Sequence, residues 1–150
     1  MMKSFLSLRK ILISGLAAGL LSFIAGSILY MNPLTAGVYG NNANWQCSKP
    51  MESFGGLGVW LALMLLGGLV STVFMAVLYA YTEKALPGGP WIKGLFFGVL
   101  LWLVSKVPAS YYTWLMYTYP NMLNLIETFN GLVGSIVAGV TLAVLYEKLS

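Results

Sequence analysis

Apolar residues run along this chain in four long blocks, and the polar residues fall mostly between them. The first block extends from Ile11 to Tyr30 behind Arg9 and Lys10; the second runs from about Gly56 to Tyr81 and stops at Glu83 and Lys84. A third begins at Trp91 and reaches about Tyr112, with Lys106 and Pro108 inside it. The fourth runs from about Leu125 to Tyr146 and closes at Glu147 and Lys148. A helix rises about 1.5 Å per residue and the hydrocarbon core of a bilayer is about 30 Å thick, so about 20 uninterrupted apolar residues predict a membrane-spanning helix. The pattern predicts a single all-α domain over residues 1–150: an integral membrane four-helix bundle with spans 11–30, 56–81, 91–112 and 125–146 and an outer loop 31–55.

Basic residues orient these spans, because cytoplasmic segments next to a membrane carry the excess of Lys and Arg. Lys3, Arg9, Lys10, Lys84, Lys93 and Lys148 fall on one side and Lys49 on the other, which predicts a multi-pass protein of the cell membrane with both termini cytoplasmic. Lys3, Arg9 and Lys10 ahead of an apolar run imitate a secretory signal. The length of that run and the lack of an A-x-A site favour a retained anchor.

Composition narrows the chemistry. The chain is 59% hydrophobic and 8% charged, with no His and one Cys, so a catalytic site, a His-ligated haem or a zinc cluster has almost nothing to be built from. No cofactor and no metal are expected, and the reading is not an enzyme. A net charge of +4 calls for no nucleic-acid partner, since insertion and anionic headgroups already account for basic helix ends.

The two halves of the chain repeat one another. Ile13-Ser14-Gly15-Leu16-Ala17-Ala18-Gly19 aligns with Ile92-Lys93-Gly94-Leu95-Phe96-Phe97-Gly98, so Gly15 and Gly19 fall on Gly94 and Gly98. Ala76-Val77-Leu78-Tyr79 recurs as Ala143-Val144-Leu145-Tyr146, and in that register Gly68 and Thr72 fall on Ser135 and Gly139. Two tandem hairpins of the same orientation imply a pseudo-two-fold axis along the membrane normal. Small residues at every fourth position let helix backbones approach closely in lipid. These stripes serve either packing within one chain or association between chains.

Lys106 is the most informative ionisable residue, because charge within a span is expensive. Counted from Trp91 it lies roughly 22 Å across the bilayer, within snorkelling reach of the outer headgroups. Glu127 opens the fourth span on the same side and offers an ion-pair partner, and a solute or ion site at the two is the third reading. Pro108 removes an amide hydrogen and predicts a kink that frees the Val104 carbonyl for Ser105, Ser110 or water. Tyr111, Tyr112, Trp114, Tyr117 and Tyr119 suit an outer interfacial belt, or else a surface for a partner or headgroup. The long outer loop holds Asn32-Pro33, Trp45 and an unmatched Cys47, a candidate docking segment whose turn formers argue against a continuous helix. Leu86-Pro87-Gly88-Gly89-Pro90 reads as a tight inner connection between the hairpins.

Through Gly26-Ser27-Ile28-Leu29-Tyr30-Met31-Asn32-Pro33 and Gly94-Leu95-Phe96-Phe97-Gly98-Val99-Leu100-Leu101-Trp102, the chain resembles small four-helix bacterial and archaeal membrane proteins grouped as domains of unknown function. That resemblance implies an architecture and no activity. The leading expectation is a structural, assembly or accessory component whose partners are the lipid bilayer and either further copies of itself or other membrane subunits. The alternative is a small homo-oligomeric channel or transporter using Lys106 and Glu127.

Overall fold

A computed structural model describes residues 7–41 and 51–149. Its elements follow in the order α1 (Leu8–Tyr30), α2 (Pro33–Asn41), a 3-10 turn (Met51–Phe54), α3 (Leu57–Thr82), α4 (Pro90–Met116) and α5 (Asn121–Lys148). The helices α1, α3, α4 and α5 are each long and apolar enough to cross a membrane. The expected spans 91–112 and 125–146 lengthen to the bounds of α4 and α5, because Asn121, Asn124 and Thr113 are compatible with helix beyond the apolar run. Only residues 117–120 then separate the two helices.

Residues 33–41, in the segment expected as an outer loop, are helical. Asn32 caps α2 by accepting the Thr35 amide hydrogen at Oδ1, 3.0 Å away, and Pro33 takes the first helical position, where its missing N–H costs nothing. The expected tight connection before α4 is present. Gly88 adopts φ +79°, a left-handed conformation that a side chain would resist, and Pro90 starts α4.

The helices pack in the spatial order α3, α1, α5, α4: α1 lies between α3 and α5, and α4 lies on α5. No comparable backbone contact joins α3 to α4. They meet through side chains, with the Tyr79 ring of α3 edge-on to Phe97 of α4 at a centroid distance of 5.3 Å. Tyr79 also stands edge-on to its sequence counterpart Tyr146 at 5.6 Å. Ala18, Ala76, Leu142 and Ala143 close around this aromatic centre with no exposure to solvent.

Candidate functional site

The glycine stripes are spent on the seams within each hairpin. A Cβ placed on Gly15 would sit 2.8 Å from the Val73 Cα, and one on Gly94 would sit 2.5 Å from the Val140 Cα. Gly19 lies similarly against Leu69 and Thr72, and Gly98 against Ile136 and the Ser135 carbonyl. Gly139 meets Gly94 and Gly98 from the opposite side of the seam. In the register that lays Gly15 on Gly94 and Tyr79 on Tyr146, Val73 corresponds to Val140 and Leu69 to Ile136. The two hairpins therefore pack through matching positions. Gly68 departs from the expectation: its Cβ position meets nothing within 4 Å, because it lies off the face of α3 that Leu69, Thr72 and Val73 turn to α1.

The contacts between hairpins are not matched. Ser22 of α1 reaches to within 3.5 Å of the Gly134 carbonyl of α5. The corresponding pair, Leu101 and Gly67, is not brought together, and Gly67 opens onto empty space. The reason is bulk: where α1 carries Ala18 and Ser22, α4 carries Phe97 and Leu101, and the Phe97 ring stands against Tyr79 between α3 and α4.

Toward the ends of α5 the polar residues gather. At one end the Lys93 ammonium pairs with Glu147 at 3.0 Å, and the Lys10 ammonium lies 5.5 Å from the centre of the Tyr146 ring, a cation–π distance. The first of these joins the start of α4 to the end of α5. Its residues both sit at predicted inner helix ends, a signal that sequence spacing alone did not turn into a pair.

At the other end, Glu127 Oε1 accepts hydrogen bonds from the Tyr39 hydroxyl at 3.0 Å and from the Tyr119 hydroxyl. Burial, and the Glu127 carboxylate beside them, push both phenols well above their ordinary range. Among the described residues, no ion pair joins Lys106 to Glu127; the Lys106 stem instead lies along the Cα of Gly131, its Cγ 3.0 Å from where a Cβ would stand. Stem packing of this kind is what a snorkelling lysine requires.

Pro108 sits within α4, whose helix continues on both sides of it. The nearby serines bond elsewhere than to Val104. Ser105 donates to the Leu101 carbonyl at 2.6 Å, and Ser110 donates to Asn124 Oδ1 at 3.1 Å. Asn124 Nδ2 returns a bond to the Ser110 carbonyl at 2.9 Å, Thr128 donates to Ser110 Oγ at 2.7 Å, and Trp102 Nε1 donates to the Thr128 carbonyl at 2.8 Å. This network ties the C-terminal half of α4 to the N-terminal part of α5. Its signal in the sequence is the spacing of Asn124 and Thr128, four apart on one face of a helix.

Trp45 and Cys47, the expected docking residues, lie outside the described residues. Tyr111 and Tyr112 are exposed, as are Trp114 and Tyr117, in keeping with a lipid- or headgroup-facing band. Tyr119 is the exception, drawn in to Glu127. No protein-family model, curated protein or solved structure matches the chain.

Proposed function

We propose that this chain is a non-enzymatic, multi-pass protein of the cell membrane, with both termini cytoplasmic, that serves as a structural, assembly or accessory component of a homo-oligomer or a larger membrane complex. The observation that carries this reading is the state of α3. It is the most apolar and least enclosed of the four long helices, shares an extended backbone seam with α1 alone, and turns Gly58, Gly67 and Gly68 toward open space. In lipid, close-approach positions gain their stabilisation only when another helix occupies them. The matched hairpin seams support a tandem duplication about an axis along the membrane normal, and the Phe97 and Leu101 bulk then explains why the α3 side is left without the partner that α5 finds in α1.

The channel or transporter reading draws less support, since Lys106 and Glu127 stand on separate contacts. Disulfide cross-linking tests the assembly reading. With Cys47 replaced by Ser, a Gly68→Cys variant oxidised in native membranes should form a covalent adduct, either a dimer of the chain or a conjugate with a foreign subunit. Failure to cross-link there, with unhindered labelling of the same cysteine by a lipid-soluble maleimide, contradicts it. Lys106→Met should leave the adduct unchanged; loss of solute flux in proteoliposomes on that change, with folding intact, would favour transport instead.

A further inference from the structure

Four parts of the chain come together around Glu127. Tyr39 comes from α2, Tyr119 from the 117–120 connection, and Tyr30 from the end of α1, where its ring leans on Tyr39 at a centroid distance of 6.2 Å and comes under the influence of the Glu127 charge. Asn130 follows one turn along α5 beside the Tyr30 side chain; it is 8% exposed, and its Nδ2 makes no hydrogen bond within 3.5 Å. Among the described residues no Lys or Arg nitrogen lies within 4 Å of the Glu127 carboxylate.

A partly buried carboxylate is costly unless a cation neutralises it, and two phenol donors offset only part of that cost. Aromatic rings offer their negative faces to a cation, and organic ammonium groups are held by rings combined with a carboxylate. A buried amide N–H without an acceptor is a second unmet demand, and it calls for an oxygen acceptor. A bare metal ion would answer the first demand and not the second. A zwitterion with an ammonium group and a phosphate or carboxylate oxygen answers both.

We propose that Glu127, Tyr30, Tyr39, Tyr119 and Asn130 form a binding site for an organic ammonium group borne by a zwitterionic ligand. Glu127 supplies the counter-charge, the tyrosine rings line the cation, and the Asn130 amide donates to the ligand's anionic oxygen. The site rests on the membrane reading above, which places it at the outer interface, where the ammonium is that of a phospholipid headgroup or of a soluble amine.

The test uses the full chain in lipid nanodiscs. Heat unfolding is followed by circular dichroism in phosphatidylglycerol alone, in phosphatidylglycerol with phosphatidylethanolamine, and in phosphatidylglycerol with added phosphoethanolamine at matched ionic strength. The proposal expects Tm to rise by about 3 °C or more with the phosphatidylethanolamine lipid or with soluble phosphoethanolamine. A rise with the lipid alone identifies a headgroup site, and a rise with the soluble probe identifies a solute site. Glu127→Gln keeps an oxygen acceptor for both phenols and should abolish the rise; Tyr39→Leu, away from the bundle, should reduce it and stands in if the first variant fails to fold. No rise with either probe, an undiminished rise in both variants, or an equal rise with potassium chloride overturns the site. Failure to incorporate into nanodiscs at all overturns the membrane reading and the site with it.

Discussion

Adding one methyl group to Gly94 tests how the hairpins hold together. The Cβ of Gly94→Ala would stand 2.5 Å from the Val140 Cα and 2.6 Å from the Gly139 carbonyl oxygen. Carbon atoms rest at about 3.5–4.0 Å, so the α4 and α5 backbones must part by about 1 Å, and a gap of that size forfeits a quarter to a half of the dispersion energy of each contact it opens. Backbone on the far side cannot turn away as a side chain would. Overpacking of this kind costs about 1–3 kcal/mol, against a gain of about 1 kcal/mol from alanine's better helix propensity, leaving a net loss of up to about 2 kcal/mol. Gly134→Ala is the control, because its Cβ meets nothing within 4 Å and only the propensity gain of up to about 1 kcal/mol applies. Unfolding of the two variants by denaturant in micelles, read by tryptophan fluorescence, should separate them by about 1–3 kcal/mol with Gly94→Ala the weaker. Equal midpoints would refute the argument that backbone contact at Gly94 fixes the α4–α5 seam.

Three further outcomes follow from other parts of the molecule. Tyr79 has no exposure and its hydroxyl no partner, so Tyr79→Phe keeps both ring contacts and should leave stability unchanged or raise it by about 1 kcal/mol; a loss in the same micelle assay would mean that the hydroxyl is bonded. Tyr39 and Tyr119 hold their protons above the ordinary phenol value of 10.0, so the folded state binds more protons than the unfolded one as pH rises past that value, and stability should fall there. Alkaline titration of phenolate absorbance should show these two lagging behind the exposed tyrosines, and Glu127→Gln should bring them closer. Cys47 is the single cysteine, so a membrane-impermeant maleimide should label it on intact cells if the 31–55 segment is outside, and only after lysis if the orientation is reversed.

Helix identity was legible because apolar length is a one-dimensional signal, and the Gly15, Gly19, Gly94 and Gly98 seams were legible because small residues recur at helical spacing. Which faces those stripes turn inward was not: Gly68 reads like its neighbours, and only the rotation of α3 about its axis places Leu69, Thr72 and Val73 on α1 instead. Asn32-Pro33 reads as turn chemistry, although the same pair with Thr35 is also a helix start. Lys106 reads in the sequence as the charge in need of a partner, and opposite charge alone offers Glu127 to it. The phenol partners of Glu127 sit in α2 and in the 117–120 connection, too far along the sequence for any local period to reveal.

The central claim is that the chain works in association, with the open face of α3 covered by another helix. The direct measurement is the mass of the tagged protein drawn from its native membrane in mild detergent, by light scattering, with co-purifying chains identified by mass spectrometry. Assembly through α3 predicts a complex holding either several copies or a stoichiometric foreign subunit, reduced to the single chain by Gly68→Ile while Gly26→Ala leaves it intact. A wild-type protein that elutes as one 16.3 kDa chain without any partner would contradict it.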